Sequence, residues 1–221
     1  IRVISGAEEA RLIAKGILKH TNSLPDRVAF VDIGGGSTEI SLVHNREIVW
    51  SHSFALGSQR LKQMFPKANP PGEGNERQQA IKDLRSKVKT KLKGLSKQLD
   101  GKAFPHVVGT AGTIKAVGRI LNLREARMNG SDDYIRELTV SPESMEFTFS
   151  ELRQLSAELE ISTRASLSFL EGLEAKRRDL ILPGTLLLEE ICSVLRSKSL
   201  QTSPCSLRDG IVLSQVESLN L

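Results

Sequence analysis

Residues 28–43 read Val28-Ala29-Phe30-Val31-Asp32-Ile33-Gly34-Gly35-Gly36-Ser37-Thr38-Glu39-Ile40-Ser41-Leu42-Val43. A continuous apolar run, the pattern of a buried strand, leads up to Asp32. Three glycines follow, and alternation starts again at Glu39. His44-Asn45-Arg46 then reads as a turn, and Ile48, Trp50, His52 and Phe54 alternate once more. The glycines therefore join strand to strand. A dinucleotide-binding fingerprint needs Gly-x-Gly-x-x-Gly running from a strand into a helix, and a Walker loop needs Gly-Lys-Ser/Thr. This loop is neither.

What remains is a loop of hairpin type. Consecutive glycines let backbone amides converge on an anion, because no Cβ blocks close approach and positive φ is open to them. Ser37 and Thr38 can add hydroxyl donors to phosphate oxygens. Asp32, ending a buried strand beside the loop, is placed to hold Mg²⁺ directly or through water. Taken by itself, the same stretch is equally a plain hairpin turn with a capping Asp.

Upstream, Arg2 to Ser5 reads as a short strand, and Ala7 to His20 has helical spacing with Glu8 and Glu9 in its first turn. Downstream, a short helix is expected over 56–65, a loop over 66–75, and one long helix over 76–99 with a lysine-rich outer face. Phe104 to Val108 reads as a strand that leads through Gly109-Thr110-Ala111-Gly112-Thr113 into a helix reaching Ile120. Amides at that helix N-terminus can meet a phosphate or a nucleotide, although such a loop is more often only a tight connection. Residues 124–149 read as a loop with a strand near 145–149. Helices follow at 150–160, 163–171 and 175–196, then a strand at 199–203 and a helix at 207–219. The result is one α/β domain with a mixed central sheet and flanking helices.

The chain has 221 residues, of which 39% are apolar and 26% charged, and its formal charge is +5. That balance suits a globular domain and an anionic ligand, without naming the ligand. No apolar stretch approaches the ~20 residues of a membrane helix. Two cysteines, Cys192 and Cys205, argue against a disulfide framework and fit a reducing cytoplasm. His20, His44, His52 and His106 show no metal-ligand spacing. Because the chain opens at Ile1 directly into an apolar run, it reads as a piece of something longer.

Two glycine loops in one α/β chain point to the actin-like (ribonuclease H-like) phosphotransfer architecture. The residues resemble one family in particular, the exopolyphosphatase/guanosine pentaphosphate phosphohydrolase (Ppx/GppA) family. The resemblance is carried by Val3-Ile4-Ser5-Gly6-Ala7-Glu8-Glu9-Ala10-Arg11-Leu12-Ile13 and by Val31 to Glu39. It continues through Leu56-Gly57-Ser58-Gln59-Arg60-Leu61, Gly109 to Thr113, Pro183-Gly184 and Leu207-Arg208-Asp209-Gly210, in the family's order.

The resemblance implies that residues 1–221 are the second of two actin-like domains, with 1–20 near the inter-domain boundary and the first domain absent. It implies Glu9 as the general base that activates water, and Gly34, Gly35, Gly36, Ser37 and Thr38 as the phosphate loop. Gly109, Ala111, Gly112 and Thr113 are expected to form a second phosphate contact. Asp32 and Glu39 are the expected Mg²⁺ site. The implied reaction removes terminal phosphate from inorganic polyphosphate or guanosine pentaphosphate. Nucleic acid and membrane are not expected partners, and a homodimer is possible through the full-length protein. Two alternatives stay open: a noncatalytic polyphosphate or nucleotide-binding module, and an actin-like kinase.

Each residue also has a plainer reading. Glu8 and Glu9 suit any helix N-terminus, Glu39 suits an exposed strand position, and the basic helix suits a solvated face.

Overall fold

The computed structural model describes residues 3–70, 72–131 and 144–219. Strands β1 (Arg27–Ile33), β2 (Thr38–His44) and β3 (Glu47–Phe54) form an antiparallel meander. Strand β4 (His106–Thr110) pairs parallel with β1 on its other side. Strand β5 (Glu146–Thr148) is the far edge, antiparallel to β6 (Ser199–Thr202), which itself runs parallel to β4. The sheet is mixed, with six strands in the order β3-β2-β1-β4-β6-β5.

Period-2 alternation in β1 divides the core. Ala29, Val31 and Ile33 enter the larger cluster, while Val28 and Phe30 enter the smaller one. The smaller cluster is closed by α1 (Gly6–His20), through Ile13, Ala14 and Ile17, with α9 (Leu207–Ser218) packed on α1. The larger cluster is covered by α2 (Ser58–Met64), α3 (Gly74–Lys91), α4 (Lys93–Leu99), α5 (Ala111–Met128), α6 (Phe149–Glu160), α7 (Arg164–Ser168) and α8 (Arg178–Leu195). Burying an aliphatic or Phe side chain of this kind contributes about 1.5–3 kcal/mol. With only nine aromatic residues in the chain, this core is mostly aliphatic.

The β2–β3 turn is built by Asn45 and Arg46, both left-handed at φ 49° and 64°. The Arg46 guanidinium donates to the carbonyls of Leu18 (2.6 Å) and Thr21 (3.0 Å), tying the hairpin to the end of α1.

Several sequence expectations change. No strand forms over 3–5, the described part of 2–5; both flanks of β1 are already taken, and Ser5 instead caps α1, its hydroxyl accepting from the Glu8 amide at 3.2 Å. The long basic helix is two helices meeting at Leu92. A single-turn 3-10 helix, 66–68, interrupts the expected loop before α3. Helix α5 runs on to Met128, two turns past Ile120, because Leu123 and Ala126 find a small apolar cluster with Met145. In β3 the pairing slips, with Val43 opposite Ile48 but Leu42 opposite Trp50. This one-residue bulge sends Ile48 to the α1 side and Trp50 to the other, so the four alternating residues do not share a face. Cys192 and Cys205 are free and buried. Among the described residues no helix is long and apolar enough to cross a membrane.

Candidate active site

Asp32 and Glu39 are register partners across β1 and β2, on the α1 side of the sheet. Glu39 is in turn opposite Ser53 of β3, whose hydroxyl donates to Glu39 Oε1 at 2.6 Å. Glu39 is only 4% exposed, so it is a buried carboxylate and not a surface strand residue. Thr110, at the end of β4, pairs with Asp32 and donates its hydroxyl to Asp32 Oδ2.

Glu9 reaches the same place from a different element. Gly6 lies directly against Ser53: a Cβ on Gly6 would come within 2.7 Å of the Ser53 hydroxyl oxygen. One turn on, the Ser41 hydroxyl donates to the Ala10 carbonyl at 3.1 Å. These two contacts press the first turns of α1 onto β2 and β3. The Ser-Gly-x-Glu-Glu spacing thus has a local reason: Ser5 caps, Gly6 permits contact, and Glu9 is carried down beside the strand carboxylates.

The three carboxylates perturb one another. Burial raises the pKa of Glu9, and the Asp32 charge raises it further. Asp32 is raised mainly by burial, against the Thr110 hydrogen bond and the positive charge of Lys115. Glu39 is raised by burial and by the Glu9 and Asp32 charges, and lowered by hydrogen bonds from Ser53 and Ser37. Burial and crowding of acids in this way both disfavour the ionised forms.

The glycine loop lies at the strand ends beside this group. Its shape is held by outside donors. The Ser58 amide donates to Gly34 O at 3.1 Å, the Arg60 amide to Gly35 O at 2.9 Å, and Arg60 Nε to Gly36 O at 2.7 Å. The Gly34 amide is used within the turn, donating to Ser37 O at 3.0 Å. The Thr38 side chain is wholly buried, and its hydroxyl donates to the Leu56 carbonyl at 2.7 Å. Neither group is therefore available to a ligand in this arrangement. Among the described residues the amides of Gly35, Gly36 and Ser37 donate to no protein acceptor. None of the three glycines uses a left-handed φ, contrary to the conformational reason expected for them. A Cβ on Gly35 or Gly36 would meet nothing closer than 3.6 Å, so the missing side chains leave room above the loop.

The second loop divides similarly. Gly109 and Thr113 are buried by packing against Ile114 and Gly184. Ala111, left-handed at φ 63°, and Gly112 remain half-exposed at the N-terminus of α5. The Arg177 guanidinium lies against Gly112. Nothing in the local sequence marked Arg177, because this contact joins residues 65 positions apart.

The oxygens gathered here are the Asp32 and Glu39 carboxylates and the hydroxyls of Thr110, Ser53 and Ser37, with the positive charge of Lys115 close to Asp32. Among the described residues no group of three or more His, Cys, Asp or Glu could hold a metal ion. That donor set fits Mg²⁺, which takes one or two carboxylates and completes its shell with water and substrate phosphate.

Comparison with known proteins identifies the family. A family model described as the Ppx/GppA phosphatase family matches residues 1–219. The chain is 26% identical over 219 residues to "Exopolyphosphatase 1" of Mycobacterium leprae, covering 99% of this chain and 60% of that protein. It is 29% identical over 216 residues to "Exopolyphosphatase 2" of Mycobacterium tuberculosis, covering 96% and 63%. The chain thus spans less than two thirds of the length of these relatives. Among solved structures, an exopolyphosphatase from Cytophaga hutchinsonii superposes with a TM-score of 0.79 at 23% identity, covering 98% of this chain and 65% of that one. The Aquifex aeolicus Ppx/GppA family member gives 0.74 at 21%, covering 100% and 65%. These structures establish the fold, which is α/β and actin-like.

Proposed function

This chain belongs to the Ppx/GppA phosphatase family, and from that premise we propose that it works in a phosphoanhydride hydrolase that removes terminal phosphate from inorganic polyphosphate. One observation carries the reading. Three mutually repelling carboxylates from three elements converge beside a glycine loop with unspent amides.

Hydrolysis of a terminal phosphoanhydride needs a water oriented toward phosphorus, a group to take its proton, and donors for the phosphoryl oxygens. Glu9 is the base in this reading. It is half-exposed, it stands in the first turn of a helix and not in the sheet, and its raised pKa suits proton acceptance. The amides of Gly35, Gly36 and Ser37 hold phosphate oxygens, as backbone donors do where charge develops. Arg177, against Gly112, and the α5 N-terminus add positive potential at the second loop. Asp32 and Glu39 would hold Mg²⁺, which when bound offsets negative charge on the phosphates. Thr110 and Ser53 keep those two carboxylates oriented.

The same phosphate-directed groups serve guanosine pentaphosphate, whose terminal phosphate is chemically alike. The test is phosphate release by the full-length protein from polyphosphate and from guanosine pentaphosphate, with Mg²⁺ and with chelator. Release from polyphosphate is the expected result. Binding of both without release from either would make this a noncatalytic phosphate-binding module, and transfer to a hydroxyl acceptor would make it a kinase.

A further inference from the structure

The three carbonyls of the glycine loop are all tied to the first turn of α2. The Gly34 carbonyl accepts from the Ser58 amide at 3.1 Å, the Gly35 carbonyl from the Arg60 amide at 2.9 Å, and the Gly36 carbonyl from Arg60 Nε at 2.7 Å. A trans peptide sets its C=O and its N–H on opposite sides. The Gly34 carbonyl shares a peptide group with the Gly35 amide, the Gly35 carbonyl with the Gly36 amide, and the Gly36 carbonyl with the Ser37 amide. Holding the carbonyls on α2 therefore turns these three amides away from it. They are the amides that donate to no protein acceptor among the described residues. Successive free amides aimed together make an anion-binding concavity.

Two of the three ties come from the main chain, and almost any residue at 58 or 60 would supply them. The third depends on one side chain. Arg60 clamps two consecutive carbonyls, one through its amide and the next through Nε. That Nε bond is the side chain's one hydrogen bond among the described residues, and Arg60 is otherwise exposed. The peptide it holds leads into Ser37, whose hydroxyl hydrogen-bonds Glu39. Arg60 thus acts where the glycine loop joins the carboxylates.

We propose that Arg60 is a positioning residue for the bound phosphate: its Nε–H fixes the Gly36–Ser37 peptide, so that the Ser37 amide aims at a phosphate oxygen and the Ser37 hydroxyl stays on Glu39. The proposal rests on the phosphoanhydride reading above for the nature of the anion. The role needs a donor at one atom and not a charge. Glutamine places Nε2 as many bonds from the main chain as arginine places Nε, so it can make the same bond without the charge. Methionine has a methyl carbon at that point and cannot.

The test is calorimetric binding of tripolyphosphate to the full-length protein, unaltered and as Arg60→Met and Arg60→Gln. Arg60→Met should weaken binding about tenfold, the usual effect of removing a partner that orients a ligand-binding group. Arg60→Gln should stay within about threefold of the original, as expected for a retained hydrogen bond. Both variants should melt within about 2 °C of the original, because the residue is exposed. Before any ligand is added, the amide nitrogen resonance of Ser37 should move in Arg60→Met and hold its place in Arg60→Gln. Equal loss of binding in the two variants would make Arg60 a charge that faces the phosphate directly. Unchanged binding in both, an unmoved Ser37 resonance in Arg60→Met, or a melting temperature that falls together with affinity would also overturn the positioning role. Phosphate release from polyphosphate is measured separately. A protein that shows the Met-against-Gln difference yet releases no phosphate keeps the role of Arg60 and discards the hydrolase reading.

Discussion

Gly57 lies directly beneath Gly35. A single Cβ placed on Gly57 would collide with the Gly35 carbonyl and come within 2.6 Å of the Gly36 nitrogen. The glycine loop is thus supported from below by a residue outside it, at the N-cap of α2. Gly57→Ala should displace the loop and destabilise the domain by about 1–3 kcal/mol, the usual cost of overpacking. Gly36→Ala, which finds open space, should change stability by no more than about 0.5 kcal/mol while still weakening phosphate binding. Thermal melts paired with triphosphate titration distinguish the two. Equal melting temperatures for both variants would show that Gly57 does not support the loop.

Replacing the proposed base separates chemistry from binding. Glu9→Gln keeps size and hydrogen bonding but cannot accept the proton from water. Turnover in the full-length protein should fall by about 10²–10⁴-fold with KM nearly unchanged. Near-normal turnover would place the base elsewhere.

Glu39 is expected to lower stability for the sake of the site. Its folded pKa is raised, so the folded state holds a proton more tightly than the unfolded chain, and stability grows as pH falls through that raised value. At neutral pH the ionised carboxylate is destabilising. Glu39→Gln, which can still accept from Ser53, should therefore raise stability at pH 7 by about 0.5–2 kcal/mol while impairing activity. The advantage should vanish below the ordinary Glu pKa of about 4.3, where both side chains are neutral. A variant less stable than the original at neutral pH would contradict this.

Asp209 shows the opposite sign. Its Oδ2 accepts from the Ser206 amide at 2.7 Å and the Ser206 hydroxyl at 2.9 Å, capping α9, and these bonds hold its pKa down. The cap therefore contributes fully above the ordinary Asp value of about 3.9 and is lost as pH falls through the lower folded value. Asp209→Ala should cost about 0.5–2 kcal/mol at pH 7 and progressively less below pH ~4. Denaturant unfolding at several pH values provides the comparison. A cost that does not shrink with acid would point to packing instead of charge.

Much of this arrangement was legible in the residues because it is local. The strand-glycine-strand hairpin shows in period-2 alternation, and the Ser5-to-Glu9 helix start shows in its capping pattern. What escaped depends on contacts between distant segments. Alternation places Glu39 on a face of β2 but is silent on whether that face is covered; α1 covers it from some thirty residues upstream. Thr38 looks like a free hydroxyl until Leu56 returns beside it. The continuation of α5 depends on Met145 arriving beneath it, and Arg177 becomes part of the site only where the start of α8 meets α5. The bulge at Ile48 to Trp50 has no compositional mark, since Val49 is as good a strand residue as its neighbours.

That bulge also bears on what the sheet's outer edge offers to a further strand. β3 is the outer strand of the sheet, eight residues long and rich in apolar and aromatic side chains, with Val49 54% exposed. An uninterrupted edge of that kind would offer a regular row of amides and carbonyls to the edge of another molecule. The extra residue breaks the even spacing and increases the local twist, so that an incoming flat strand can pair with only one half of β3 at a time. The irregularity that divides the β3 side chains between two faces thus also lowers the tendency of this edge to template aggregation.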